Sequence, residues 1–247
     1  MSGQFSFFAF VSHLGRLLLT HMNFIAFEAA SLELGLNLTD AQIRAFDGFE
    51  AKLYKANTVM NLTRVPQEEC WLRHFIDSLL FQDLIPHGAA VLDIGTGPGL
   101  PAWPLACARP DLQVTALDST GKMIDFLVSC PLPNLRPVKA RAEDLGVREA
   151  FDVVTGRALA PLAVQLELSA APARIGGFVI PFRTLKDLDE IRTLSGGKLG
   201  LGAATLVERA LPETDIIRVA PVYEKLGETP KRFPRSWAEI KRAPFSS

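Results

Sequence analysis

Residues 91–100 read VLDIGTGPGL, an apolar run that leads into three closely spaced glycines. An apolar run of this length is typical of a buried β-strand, and glycines let the backbone bend tightly and come close to a ligand because they lack a Cβ. The segment therefore predicts a strand, a turn and the start of a helix around a ligand site. Its candidate binding residues are Gly95, Gly97, Gly99 and Leu100.

Short apolar runs alternate with amphipathic stretches on the C-terminal side of this turn. Seven such runs, the first included, lie at 89–94, 112–118, 135–140, 151–156, 176–182, 203–211 and 215–225. The alternation predicts right-handed crossovers and an α/β fold with a mostly parallel sheet. Only three residues separate the last two runs, so these two strands must pair antiparallel. A seven-stranded sheet with a terminal antiparallel hairpin is typical of class I (Rossmann-like) methyltransferases.

The chain before the sheet is predicted to be helical. Asn23 and Thr39 are candidate N-caps, Gly35 suits a helix end, and the series Ile43, Phe46, Phe49 and Leu53 repeats at helical spacing as a core-facing stripe. We therefore expect four segments. They are an N-terminal extension at 1–22, of which Met22 as start would remove residues 1–21, a helical appendage at 23–85, the ligand-binding domain at 86–227, and a basic C-terminal tail at 228–247.

Composition limits the partners and the cellular compartment that we expect for the protein. The 247 residues carry a formal net charge of −1, so an RNA partner would require positive charge concentrated on one face. Three irregularly spaced cysteines predict neither a disulfide framework nor a metal site, and they favour a reducing, cytoplasmic compartment. Residues 5–19 are apolar, but no basic segment precedes them and the run is too short to span a bilayer, so we expect no membrane role.

Three acidic positions follow successive predicted strands and point to a nucleoside cofactor. Asp118 ends the second strand, where a carboxylate accepts hydrogen bonds from both ribose hydroxyls, and Ala142-Glu143 follows the third, where an adenine would lie. A nicotinamide fingerprint would require Gly or Ala where this chain has Leu100, so S-adenosylmethionine is the favoured cofactor and a nicotinamide oxidoreductase the rival. Asp93, at the end of the first strand, would then face the positively charged methionine end.

Several longer motifs resemble one bacterial family. They are YKANTVMNLT at 54–63, RHFIDSL at 73–79, DIGTGPGLPAWPLA at 93–106, LDSTGK at 117–122, FLVSC at 126–130, RAED at 141–144 and GRALAPL at 156–162. In these segments the chain is similar to the RsmG (GidB) family, whose members methylate N7 of a guanine in the decoding-region loop of 16S ribosomal RNA. The resemblance covers nearly everything from about residue 30 to the tail.

The resemblance implies a set of site residues. The cofactor contacts it implies are Gly95, Leu100, Asp118, Ser119, Thr120, Ala142, Glu143 and Arg157. Arg73, His74 and Asp77 share one helix face by three- and four-residue spacing, so we treat them with Arg157 as candidate catalytic residues; a structural face joining the appendage to the sheet is an equal alternative. For Arg157 the alternative is an ion pair with Asp93 or Asp152.

The implied reaction agrees with what the sequence contains. Guanine N7 has a free lone pair and no proton to lose, so a general base is not required, and His74 is the least favoured candidate for one. The chain has no Asn-Pro-Pro-Tyr motif after the fourth strand, as exocyclic amine methylation uses, and no cysteine there for a covalent pyrimidine mechanism. It departs from the family pattern at Ala102-Trp103 and at Pro181-Phe182-Arg183.

The tail is the predicted RNA contact. Phe233 and Trp237 interleave with its cations and offer stacking faces. The candidate RNA-binding residues are Lys225, Lys231, Arg232, Arg235, Lys241 and Arg242. We expect a monomer that acts on 16S ribosomal RNA or the small ribosomal subunit, with neither DNA nor membrane as partner. Open alternatives are a methyltransferase of small molecules, a non-catalytic cofactor-binding RNA factor and, for the tail, a solvated charged face.

Overall fold

The helices of the N-terminal part begin where the sequence supplies caps. A computed structural model describes residues 23–246, so the predictions for residues 1–22 lie outside the described residues. Helix α1 (Phe24–Glu33) is capped by the Asn23 side chain, and α2 (Asp40–Met60) by a reciprocal Thr39–Gln42 capping box. A π-helical segment (Trp71–Ile76) continues into the short α3 (Asp77–Leu79). The sequence did not predict this π-helical geometry.

Seven strands form one sheet in the order β3-β2-β1-β4-β5-β7-β6. Their bounds are β1 Ala90–Ile94, β2 Gln113–Asp118, β3 Leu135–Lys139, β4 Phe151–Arg157, β5 Ala173–Thr184, β6 Thr205–Ala210 and β7 Ile217–Glu224. The first five pair parallel, and β7 lies antiparallel between β5 and β6. The predicted fold class is confirmed, including the terminal antiparallel hairpin.

Five helices lie between the strands or after the last of them. They are α4 Ala102–Ala108, α5 Gly121–Val128, α6 Leu162–Ala170, α7 Leu188–Thr193 and α8 Trp237–Arg242. Crossover helices cover both faces of the sheet, which explains why β1 is buried along nearly its whole length and β4 over its central residues 153–156. Within residues 23–246, no helix is long and apolar enough to cross a membrane.

The helical appendage packs onto one face of the sheet through an aromatic cluster. The stripe from Ile43 to Leu53 is buried, as expected from its spacing. Phe49 stacks on Trp103 of α4 with ring centroids 4.2 Å apart, and Phe46 meets the edge of the same indole at 5.3 Å. Each fully buried phenyl ring contributes about 1.5–3 kcal/mol. The appendage and this face of the sheet therefore share one core.

The C-terminal segment, residues 228–246, is anchored on the opposite face. Ile240 of α8 is completely buried, and Phe233 and Phe245 pack edge to face in the same core cluster. The buried carboxylate of Glu167 on α6 accepts hydrogen bonds from the Arg235 backbone amide at 2.9 Å and from its guanidinium at 2.6 and 2.8 Å. These contacts fix the segment on the domain.

Candidate active site

Two cavities open at the carboxyl edge of the parallel strands. In the sheet, β2 and β3 follow one another on one side of β1, whereas β4 and β5 lie on its other side. The strand order thus reverses between β1 and β4, and open α/β sheets bind ligands in the crevice at such a point. The smaller cavity lies at the β1–β2–β3 side and the larger at the β4–β5 side.

The glycine turn takes conformations that other residues avoid. Gly95, Gly97 and Gly99 have φ of +71°, +56° and +102°. A Cβ on Gly99 would lie 3.2 Å from Trp103 Cβ and 2.6 Å from Leu127 Cδ1. The amides of Gly95 and Thr96 donate to the Leu117 carbonyl at 2.8 and 3.0 Å, which ties the turn to the end of β2. Glycine is therefore required by backbone geometry at this turn.

Asp118 connects the turn with the smaller cavity. Its Oδ2 accepts from the Gly97 amide at 2.9 Å and its Oδ1 from the Thr120 amide at 2.7 Å. The cavity, about 160 Å³, brings together five of the predicted cofactor residues. These are Gly95, Asp118, Ser119, Ala142 and Glu143. A carboxylate at one end and apolar walls between β2 and β3 fit a ribose and a flat purine.

The remaining predicted cofactor residues do not line the smaller cavity. Arg157 lines the larger cavity, Thr120 precedes α5, Asp93 lies in β1, and Gly97, Gly99 and Leu100 belong to the glycine turn. Asp93 is completely buried and caps α4, accepting from the Ala102 amide at 3.1 Å. Burial raises the pKa of Asp93 to about 6, while the nearby Thr96 hydroxyl, the Ala102 amide and the charge of Arg157 act in the opposite direction. Asp93 therefore connects the end of β1 to the start of α4 and so supports the turn between them. Its contact with the cofactor stays a prediction.

The larger cavity, about 480 Å³, is lined by the candidate catalytic residues. Arg73, His74 and Asp77 reach it from the appendage, and Arg157 reaches it from the end of β4. Arg183 of β5 and Arg218 of β7 complete a wall with four guanidinium groups. Such a wall favours an electron-rich or anionic ligand, since arginine donates several hydrogen bonds in one plane.

Asp77 is the electrostatic centre of this wall. Arg157 donates to Asp77 Oδ2 at 3.0 Å, and Arg218 donates to Oδ1 at 2.7 Å and to Oδ2 at 3.2 Å. The alternative expected for Arg157, an ion pair with Asp93 or Asp152, is wrong because the appendage brings Asp77 closer. Asp152 instead pairs with Arg174.

His74 lies buried beside this network. One ring nitrogen, Nε2, is 2.7 Å from the Thr63 hydroxyl. Burial, followed by the positive charge of Arg157, lowers the pKa of His74 to about 3 despite the nearby carboxylate of Asp77. The imidazole is therefore neutral at physiological pH and a weak base, which agrees with its low rank as a general base.

The depressed pKa of His74 gives a testable pH dependence of stability. The unfolded chain takes up a proton near pH 6.5, whereas the folded protein takes it up only near pH 3. The free energy of unfolding should therefore fall by about 1.4 kcal/mol per pH unit below 6.5 through this group. Relative to His74→Gln, the wild type should lose about 2 kcal/mol between pH 6.5 and 5. Urea unfolding across this range measures the difference.

Comparison with a variant isolates His74 from other titrating groups. Asp93 has a raised pKa and acts with the opposite sign in this pH range, but it is present in both proteins and cancels. The matched control is His87→Gln, because the His87 side chain is 90% exposed. A pH profile of His74→Gln parallel to that of the wild type would contradict the burial of a neutral imidazole.

The loop after β4 lies between the two cavities. Ala158 has a φ of +53° and lines the larger cavity together with Ala160, whereas Leu159 between them lines the smaller one. The Leu159 side chain packs so closely on the turn that a Cβ on Gly95 would lie 2.3 Å from its Cδ1. This loop therefore separates the smaller cavity from the larger one.

The tail residues divide into exposed and anchored cations. Lys225 is completely buried, donates to Thr229 Oγ1, and has its pKa lowered to about 8 by burial, so its prediction as an RNA contact is wrong. Arg235 is bound by Glu167 and serves as an anchor. The cations that face solvent are Lys231, Arg232, Lys241 and Arg242.

Two arginines of the larger cavity were not predicted as site residues. Arg218 appeared only as a charge within an apolar strand, which is the one sequence signal that could have revealed it. Arg183, noted as a departure from the family pattern, donates to the Ala160 carbonyl and the Gln165 side chain and lines the cavity. The other departure, Ala102-Trp103, is buried in the shared core and lines neither cavity.

Comparisons with known proteins agree with this geometry. Residues 42–199 match the GidB family model, described as rRNA small subunit methyltransferase G. A curated relative from Lactobacillus johnsonii, named ribosomal RNA small subunit methyltransferase G, is 34% identical over 91% of this chain and all of its own length. A relative of the same name from Lachnoclostridium phytofermentans is 36% identical over 86% of this chain and 93% of its own.

The fold also matches solved structures. A chain in the complex between the Haloferax volcanii Trm112 methyltransferase activator and a methyltransferase aligns with a TM-score of 0.51 at 14% identity, covering 74% of this chain and 98% of its own. At this identity the likeness concerns the fold alone. The family match covers the residues that line both cavities except Arg218 and Trp237, which lie beyond residue 199. The chain therefore belongs to the rRNA small subunit methyltransferase G family.

Proposed function

We propose that this protein transfers the methyl group of S-adenosylmethionine to N7 of a guanine in the decoding-region loop of 16S ribosomal RNA. Family membership supports the S-adenosylmethionine-dependent methylation of small-subunit ribosomal RNA. The observation that carries the choice of base is the four-arginine wall of the larger cavity, which lies across the β4 loop from the nucleoside cavity.

The wall suits a guanine edge. Guanine presents two acceptors, O6 and N7, and arginine is the side chain that most often binds this edge. A guanidinium that donates to O6 holds the ring while the N7 lone pair stays free to attack. Arg157 fits this role because Asp77 fixes it at the cavity and its side chain is 17% exposed. Arg73 stands at the mouth, paired with Glu69 at 2.6 Å.

The residues present fit a reaction driven by positioning. N7 carries no proton, so methyl transfer from a sulfonium requires an in-line approach and no base. Correct orientation of two reactants supplies about 7–11 kcal/mol of a barrier. The doubly paired Asp77 is a positioning group that holds Arg157 and Arg218 in place, and the buried, neutral His74 lies beside it.

The exposed cations of the C-terminal segment support an RNA contact. We expect the triple variant Arg232→Ala, Lys241→Ala, Arg242→Ala to bind 16S ribosomal RNA more weakly and to reduce the slope of log K against log salt by about 2, since each lost single-strand phosphate contact removes about 0.7. Filter binding at several salt concentrations measures this slope. S-adenosylhomocysteine affinity should remain as in the wild type.

A matched control distinguishes a local contact from net charge. Arg44, Arg136 and Arg192 are also exposed and lie outside the C-terminal segment. Their triple alanine variant has the same net charge and should keep the wild-type salt slope. Equal RNA affinity of the two triple variants would remove the segment from the RNA interface.

The test of the function itself is a mapped methylation. Purified protein is incubated with labelled S-adenosylmethionine and with small subunits, or free 16S ribosomal RNA, from a strain that lacks the gene. We expect one label on N7 of a single guanine in the decoding-region loop, detected by chain cleavage at 7-methylguanine. Label on a pyrimidine, on another RNA or on no RNA would refute the proposal. In the cytoplasm, free 16S ribosomal RNA is assembled into the small subunit. Both forms are therefore tested as substrates.

A further inference from the structure

Trp237 brings the C-terminal segment to the nucleoside cavity. It is the first residue of α8, and its side chain lines the smaller cavity together with Asp118, Ala142 and Glu143. The residue remains 40% exposed, unlike Trp71 and Trp103, which are 8% and 3% exposed. A large indole thus stands half in water at the mouth of a ligand site, where a bound ring would cover it.

The position of Trp237 is fixed from both sides. On the N-terminal side, Arg235 is bound by the buried carboxylate of Glu167. Ser236 and Glu239 form a capping box that starts α8 at Trp237, and on the C-terminal side Ile240 is completely buried. The indole is therefore presented by an anchored element, so it requires little ordering when a ligand binds.

The rest of the cavity has the chemistry of an adenine site. Its walls include the apolar side chains Leu117, Ala140 and Leu168. The Glu143 side chain is only 6% exposed. It pairs with the exposed Arg141 at 3.5 Å and places a carboxylate among these apolar side chains, suited to an exocyclic amine. Aromatic side chains bind heteroaromatic rings by stacking on their faces. The cavity therefore matches adenine. The apolar walls and the indole at the opening suit the faces of the ring, and the buried carboxylate suits its amine edge.

We propose that Trp237 packs against the adenine of the bound cofactor and forms the outer wall of its site. The inference rests on the proposed function, because it requires an adenosyl ligand in this cavity. It assigns a cofactor-binding role to a tail residue whose sequence context indicated only RNA stacking.

Calorimetry with S-adenosylhomocysteine and the full chain tests the wall. Trp237→Ala should raise the Kd by about fivefold or more, the lower end for loss of one base–aromatic stack, whereas Trp237→Phe should stay within about twofold. Leu226→Ala is the control, because Leu226 is 63% exposed and lines neither the smaller nor the larger cavity. Equal Kd values for Trp237→Ala and the wild type would overturn the inference. A wild type that binds no ligand would instead overturn the adenosyl assignment itself.

Tryptophan fluorescence gives a readout that a folding defect would not imitate. Since the other two described indoles are buried away from the cavity, ligand-dependent emission should come from Trp237. Saturating S-adenosylhomocysteine should quench the wild type and leave Trp237→Phe, which still binds, unchanged. The same quenching in Trp237→Phe would place the responding indole elsewhere and refute the proposal.

Discussion

Replacing Asp77 with asparagine should lower the free energy of unfolding by about 3 kcal/mol and reduce methyl transfer at the same time. The carboxylate lies only 7% exposed between Arg157 and Arg218, whose side chains are 17% and 21% exposed. The amide keeps the shape but removes the charge that both guanidiniums require. It also places an N–H₂ group where one of them now donates. Chemical unfolding in urea measures the first effect.

The chain offers a matched pair for this variant. Asp83 also joins the appendage to the terminal hairpin, by pairing with Arg209 of β6, but its side chain is 49% exposed. Exposed pairs contribute about 0–1 kcal/mol, so Asp83→Asn should change stability by less than about 1 kcal/mol. If both variants lost the same stability, burial would not be the cause, and the central role of Asp77 would be contradicted.

Two activity measurements separate positioning from folding. Asp77→Asn should keep wild-type affinity for S-adenosylhomocysteine, because the residue lines only the larger cavity. It should lower kcat with ribosomal RNA by tenfold or more, about 1.4 kcal/mol, since Arg157 loses its fixed direction. Wild-type kcat at a temperature where the variant is fully folded would show that Asp77 is a structural residue alone.

Local patterns explain why so much of the fold could be predicted. The seven strands follow from apolar runs, and the caps at Asn23 and Thr39 follow from short-range hydrogen bonding. Strand ends of a parallel sheet meet at one edge, so the glycine turn, Asp118 and Ala142-Glu143 could be placed together in advance. The structure does bring Gly95, Asp118 and this pair to one cavity.

Pairings between distant residues could not be predicted. Arg218 binds Asp77 across 141 residues, and Arg235 binds Glu167 across 68. Either arginine has the same local pattern as an exposed cation, and only the packed fold decides which carboxylate it meets. The same holds for Lys225, whose buried ammonium group donates to Leu199 and Thr229 just beyond the end of β7. A cation in the C-terminal segment thus indicates an RNA interface only if the packed fold leaves its side chain exposed.

Asp118→Asn should weaken cofactor binding more than any other single change in the smaller cavity. The carboxylate already accepts from the amides of Gly97 and Thr120, and its position at the cavity edge suits the ribose hydroxyls. A hydrogen bond to a charged group is worth about 1.5–3 kcal/mol. A loss of about 2–3 kcal/mol corresponds to a rise of about 30-fold to 150-fold in the Kd for S-adenosylhomocysteine. Calorimetry at constant salt measures it.

Asp118→Asn should weaken cofactor binding and leave RNA binding unchanged. Asp125→Asn is the matched control, because Asp125 is exposed on the following helix α5, and its Kd should stay within about twofold of the wild type. RNA affinity of Asp118→Asn should equal that of the wild type, since the residue lies across the β4 loop from the arginine wall. An Asp118→Asn protein with wild-type cofactor affinity would mean that the carboxylate only braces the turn, and that the ribose is held by other groups.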